Sequence, residues 1–219
     1  MLRRRSGRYS DEEKFHGFFW GLYKRNEFLL IISAAVFFGS LFAGYFLAGF
    51  VDPIMAGTFR SFKESISRGQ IQLTTVSIFT NNIKIAFYLY GGGILVGVTT
   101  LYLLAYNGLF IGYVASKFPI GDFIIYTIPH GIFELPGIVI AGAAGLRLAS
   151  TIINIIRDVL DIKRYMPLEE QLKNILNINY PEFKESLVLF IIASVLILIG
   201  AFIEANFTLT WGSFIKGVL

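Results

Sequence analysis

Apolar and polar residues fall along this chain in long blocks and not in the short alternation of a soluble domain. Phe28 to Val51 and Ile85 to Ser116 carry no charge, and Phe123 to Ile156 is interrupted only by His130, Glu134 and Arg147. A helix crosses a hydrocarbon core of roughly 30 Å with about 20 apolar residues, so each block is large enough to span a bilayer. Ile85 to Ser116 is too long for one crossing, and Asn107-Gly108 in its middle is a turn signal, which predicts a hairpin of two helices. Ser186 to Ile203 is the last clear block, extended by Ala205 to Ile215 if Glu204 is tolerated in the membrane. The expected fold is all-α, a polytopic transmembrane bundle of five spans at about 28–51, 85–106, 108–121, 123–156 and 186–204. A sixth arises if the fourth block is broken or re-entrant near Pro129.

Between the blocks the period changes to that of surface helices. Ser10 and Glu13 form a capping box, and Phe15, Phe18, Phe19 and Leu22 follow at helical spacing, so segment 1–27 reads as an amphipathic helix on the membrane surface. Pro53 to Arg68, with Phe59, Phe62 and Ile66 on one side, reads similarly. From Arg157 to Glu185 five basic and six acidic residues mix with Leu168, Leu172, Ile175 and Leu176, which predicts a helical linker broken at Pro181.

Composition agrees: 55% hydrophobic and 16% charged residues exclude an ordinary soluble domain, where about 25% are charged. The net charge of +4 owes much to Arg3, Arg4, Arg5 and Arg8, which the positive-inside rule explains without a nucleic-acid partner. That rule places the N-terminus in the cytoplasm of a cell-membrane protein, and five crossings then put 147–185 there too. Arg60, Lys63, Arg68 and Lys84 face outside in this arrangement and oppose it. A cleavable signal peptide fits poorly, because Asp11, Glu12, Glu13 and Lys14 stand where its apolar stretch would begin. With no Cys, disulfides, thiolate nucleophiles and iron–sulfur clusters are excluded.

The few polar residues inside the blocks narrow the chemistry. Lipid gives helices no hydrophobic reason to associate, so contacts depend on small residues and interhelical hydrogen bonds. Asn82, Ala86, Gly93, Gly97, Thr100 and Asn107 share a helical face, and Gly93/Gly97 and Gly108/Gly112 each form a GxxxG. These predict tight packing within the fold or a homodimer. His130, Glu134, Gly137, Ala141, Gly145 and Leu148 form a second stripe, pointing the ionisable pair at other helices. A charge at the bilayer centre costs at least ~2.5–3.5 kcal/mol, whereas an interhelical hydrogen bond returns ~0.6 on average. Glu134 must therefore be protonated, paired with His130 or Arg147, bound to a cation, or exposed to a water-filled cavity.

Pro129 adds a backbone argument, since proline suits the first turn of a helix and a helix restarting there would leave amides near His130 and Gly131 free for a ligand. Three readings follow: a proline kink with His130 capping a carbonyl, a substrate or ion pathway, and a metal site. No cofactor is expected, and a divalent metal enters only through the third of these readings. His-x-x-x-Glu supplies two ligands on one turn, and a third would come from Asp122, Glu204 or His16. No His-Glu-x-x-His, Gly-x-Ser-x-Gly or Walker loop occurs, which leaves metalloprotease, serine-hydrolase and ATPase readings without support.

At these residues the chain resembles the stage II sporulation protein M family. The matching features are Asn81-Asn82 entering a span, the Gly-rich stretch to Asn107-Gly108 and Gly112, Pro129-His130-Gly131-Ile132-Phe133-Glu134-Leu135, Ala141-Gly142-Ala143-Ala144-Gly145-Leu146, and Ile203-Glu204-Ala205. The resemblance implies a polytopic membrane protein without enzyme activity. In endospore-forming bacteria the family acts with cell-wall hydrolases during engulfment as a membrane scaffold.

The first expectation is accordingly a non-enzymatic scaffold or regulator of a membrane or cell-envelope remodelling assembly, with 1–27 and 157–185 as docking surfaces for envelope proteins. The alternative is a transporter or channel built on Asn82, Asn107, His130, Glu134 and Glu204. In it Glu134 carries a proton or coordinates a cation, His130 tunes it and the asparagines supply neutral ligands. A third reading is an intramembrane metal-dependent hydrolase with His130 and Glu134 as ligands.

Overall fold

The computed structural model describes residues 17–70, 72–162 and 167–218. The capping box at Ser10 and Glu13, Phe15, and the supplementary ligand His16 lie outside them. The described residues form seven α-helices: α1 (Phe18–Phe46), α2 (Ala48–Ser67), α3 (Thr75–Gly91), α4 (Val98–Ser116), α5 (Ile120–Leu160), α6 (Leu168–Asn206) and α7 (Thr208–Val218). Four of these, α1, α4, α5 and α6, are long and apolar enough to cross a membrane. At 17 residues α3 stands at the lower end of the length that crosses a bilayer, and its contacts run from Asn82, at Glu134, to Tyr90, at Ser186.

Helix α1 absorbs Phe18, Phe19 and Leu22, so no separate surface helix precedes the span within the described residues. It ends at Leu47, and α2 follows with Pro53 inside and an apolar face toward α4, so the helix expected from Pro53 onward already begins at Ala48. Apolar side chains face outward on every side, among them Phe28 and Phe46 at 72% and 74% exposure, as suits a protein whose surroundings are lipid.

The chain reverses between α3 and α4 at Gly91–Gly97 and not at Asn107-Gly108, which lies in the middle of α4. The reason is backbone freedom: after the 3₁₀ turn Gly92–Leu95, Val96 (φ 58°) and Gly97 (φ 81°) are both left-handed, a conformation that glycine adopts without penalty. Asn82 and Asn107 thus belong to different helices and not to one face of one helix. Within α4, Gly108 and Gly112 permit close approach to α1, where a Cβ would overlap the Phe37 and Leu41 carbonyl oxygens. Gly93 and Gly145 similarly press on backbone of α5 and α3. The small-residue faces are therefore covered within the chain, and a homodimer would have to use other surfaces.

The α5–α6 pair is the spine of the bundle. Helix α5 runs unbroken for 41 residues through Pro129 and Pro136, and α6 for 39 through Pro181, so neither the break near Pro129 nor the linker break at Pro181 occurs. Proline is tolerated in a membrane helix when neighbouring helices and side chains support the freed carbonyl. Gly137 and Ala141, at the centre of the predicted stripe, are buried, and Gly137 seats against Ala193 and Ile197 of α6. Toward the far end Asn154 donates to Glu182 and Asn179 to Asp158, each at 2.9 Å, which carries the pairing into an antiparallel hairpin beyond the apolar cores.

Candidate functional site

Where α5 begins and α6 ends, the bundle opens into a cavity of about 410 Å³. All five polar candidates, Asn82, Asn107, His130, Glu134 and Glu204, line it. Each reaches it for a local reason. Thr74 caps α3 by accepting from the Ser77 amide at 3.3 Å, and two turns later that helix delivers Asn81 and Asn82. The Gly91–Gly97 reversal returns α4 so that Asn107 meets the same space. On α5, His130 and Glu134 sit one turn apart, and on α6 the absence of a side chain at Gly200 makes room for Glu134. Apart from Thr127 the remaining walls are apolar, including Phe110, Phe123, Ile138 and Ile197.

Within the cavity His130, Glu134 and Glu204 are half-buried and each presents a ligating atom, all within 4.8 Å of one another. Asn82 Nδ2 donates to Glu134 Oε1 at 2.9 Å. His130 Nδ1 lies 3.3 Å from Thr208 Oγ1, whose hydroxyl faces the Ile203 carbonyl at a longer 3.5 Å. With the proton on Nδ1 and donated to Thr208 Oγ1, Nε2 keeps its lone pair for another partner. Asn107 Nδ2 bonds back to Leu103 O in its own helix at 3.3 Å, so this residue lines the cavity without joining the trio.

The electrostatics of the trio are unbalanced. No Lys or Arg lines the cavity among the described residues. Two ionised carboxylates no more than 4.8 Å apart repel by about 3 kcal/mol or more at an effective dielectric constant of about 20. A proton shared between them or a bound cation removes that repulsion. Arg147, considered as a partner for Glu134, is engaged elsewhere: its Nη2 and Nε meet Glu185 Oε2 at 2.7 and 3.1 Å. The other oxygen of Glu185 accepts from Arg25 Nε, and Asn26 Nδ2 adds a contact at 3.3 Å. Asp122 is likewise engaged, by Lys216 of α7 at 2.7 Å.

Of the supplementary ligands considered from sequence, Glu204 alone among the described residues joins His130 and Glu134. Thr208 and Thr127 escaped the sequence reading. Thr127 lines the cavity one turn before Gly131, and extending the stripe of small and polar positions backward along α5 would have found it. Thr208 carries no such signal, because it reaches His130 across a helix break.

A model of the family described as "Stage II sporulation protein M" matches residues 29–209. An uncharacterized protein of the archaeon Methanocaldococcus jannaschii is 31% identical over 143 residues, 63% of this chain and 72% of the relative. A second uncharacterized protein from that organism is 24% identical over 196 residues, 84% of this chain and 83% of the relative. No solved structure matches the chain. With the family match running over most of the chain and every cavity-lining polar residue, this chain belongs to the stage II sporulation protein M family.

Proposed function

We propose that this protein takes a cation into the membrane-embedded cavity at the α5–α6 spine and passes it across the bilayer. The observation that carries the reading is the convergence of two carboxylates, an imidazole and an amide on one cavity where, among the described residues, no Lys or Arg neutralises them. Polar groups are expensive in lipid and persist where they bind, move or neutralise charge. Glu134 acts as the charge-compensating ligand, Asn82 orients it, and His130 and Glu204 complete the site. The N-terminus and the hairpin between α5 and α6 face the cytoplasm in this arrangement, by the distribution of basic residues, and the cavity opens toward the opposite side.

Liposomes reconstituted with the full-length protein test the proposal. Cation flux above that of empty liposomes, lost in Glu134→Gln with the variant still inserted, supports it. Wild type and variant alike passing no proton, alkali or divalent cation would remove it.

A scaffold for membrane remodelling remains a second reading, favoured by one observation. Leu168, Leu172, Leu176 and Tyr180 stand exposed at steps of four on the part of α6 that precedes its apolar core. That row is a face on which a partner helix can dock. The scaffold reading requires no flux, so the same liposome measurement decides between the two.

A further inference from the structure

The geometry points to a divalent first-row transition-metal ion, held by His130, Glu134 and Glu204, as the ligand of the cavity. This assignment rests on the reading of the cavity as a cation site and names the ion class. The donors select it in three steps. One neutral imidazole and two carboxylates carry a charge of −2, which a divalent ion cancels and a monovalent ion leaves half-compensated in an apolar surround. Imidazole nitrogen suits Zn, Cu, Fe and Ni, while carboxylate oxygen suits Mn, Mg and Ca, so the mixed set favours a first-row transition ion such as Mn²⁺, Fe²⁺ or Zn²⁺ over Mg²⁺ and Ca²⁺. The chain has no Cys, which removes the thiolates that would turn such a site toward Cu(I).

The surroundings of the trio are those of a ligand set held ready. Metal-bound histidines donate their other ring N–H to a fixed acceptor, and Thr208 Oγ1 stands 3.3 Å from His130 Nδ1, which leaves Nε2 for the ion. Ligating carboxylates are themselves hydrogen-bonded, and Asn82 holds Glu134 Oε1 at 2.9 Å, leaving Oε2 to coordinate. Ligand atoms around an ion at about 2.1 Å sit roughly 3.4 Å apart in a tetrahedron, so a trio now within 4.8 Å needs to close by at most about 1.4 Å on loading. Three protein ligands leave at least one coordination position to water or to Asn82. Three protein ligands with an open position differ from the closed four-ligand set of a structural site.

The test is calorimetric titration of the purified full-length protein in detergent with MnCl₂, CoCl₂ and ZnCl₂, with MgCl₂ and CaCl₂ as comparators, followed by metal analysis after desalting. The expected result is one transition ion per chain, bound at least about tenfold more tightly than Mg²⁺ or Ca²⁺. Visible bands in the Co²⁺ complex should show mixed nitrogen and oxygen ligation. Glu204→Gln and His130→Gln should each weaken binding by about 100-fold, and Thr208→Val, which removes only the positioning partner, by about tenfold. Size-exclusion profiles identify any variant that fails to fold, and the wild-type Co²⁺ spectrum stands without variants. Wild type binding no stoichiometric ion, or binding unchanged in both His130→Gln and Glu204→Gln, overturns the assignment. Mn²⁺ bound but not passed into liposomes keeps the site and removes transport. Glu134-dependent proton or Na⁺ flux through a chain that binds no transition ion does the reverse.

Discussion

Helix α5 carries two polar clusters, one on each side of its small-residue stripe, and they solve the problem of charge in a membrane protein in opposite ways. At one end Arg147 shares Glu185 with Arg25 and Asn26, joining α5 to α6 and α1. The side chains are 12%, 6% and 7% exposed for Arg147, Glu185 and Arg25, and opposite charges are in contact. At the other end the charges are alike, half-buried, and face a cavity of about 410 Å³. The first cluster is a closed clamp whose balance is internal to the protein. Among the described residues the second has no cationic partner, which is the ground for proposing that a proton or an ion completes it. Polarity inside a membrane thus marks function only where its charge is left unbalanced; Glu185 and Arg147 are as polar as Glu134 and serve the fold.

The largest contrast is expected between two isosteric substitutions. Glu185→Gln strips the carboxylate from two buried guanidinium groups, and removing one partner of a buried pair costs about 3–5 kcal/mol. Thermal unfolding in detergent should show a large loss of stability or folded yield. Glu134→Gln alters a carboxyl that has no cationic partner among the described residues, so the same melt should change little while the response to added cation disappears. Equal losses of stability in both variants would erase the distinction between clamp and cavity.

A smaller effect separates packing from chemistry. Gly112→Ala drives a Cβ into the Leu41 carbonyl oxygen and should cost about 1–3 kcal/mol in the same melt, as overpacking does. Gly39→Ala, where a Cβ meets nothing within 4 Å, is the control and should be neutral or slightly stabilising. Neither change should alter cation binding.

The smallest effect is expected outside the spans. Asp52 of α2 is held below the ordinary aspartate value, chiefly by the Tyr113 hydroxyl and then by Lys117 at the end of α4. A depressed carboxyl stabilises the fold above its unfolded value, about 3.9, and that contribution fades as pH falls through the lower folded value. The melting temperature of Asp52→Asn should therefore lie slightly below that of wild type at neutral pH, and the two should converge in acid. A difference that persists in acid would assign the latch to packing.

The clamp and the cavity also differ in how far they could be read from sequence. His130 and Glu134 are one turn apart on one element, so helical spacing alone places them together and beside Gly137 and Ala141. Glu204 and Thr208 lie far along the chain, and only the antiparallel docking of α6 on α5 brings them in. The Arg147–Glu185 pair was hidden for the same reason. Turn chemistry misled at Asn107-Gly108, since in a membrane helix glycine serves close approach as often as reversal, and Gly108 is needed against Phe37 and Ser40 of α1. The reversal at Gly91–Gly97 depends on backbone angles that a run of glycines permits without announcing. The prolines misled because a rule calibrated in water predicts breaks, whereas α5 and α6 are supported along their length by each other.

The most direct test of the cavity as a cation site is anomalous diffraction from crystals of the full-length protein grown with MnCl₂, recorded on the high-energy side of the manganese edge. The account predicts one anomalous peak among His130, Glu134 and Glu204 in wild type, and its loss in Glu204→Gln. Wild-type crystals with these three side chains in place and no anomalous peak among them would contradict it.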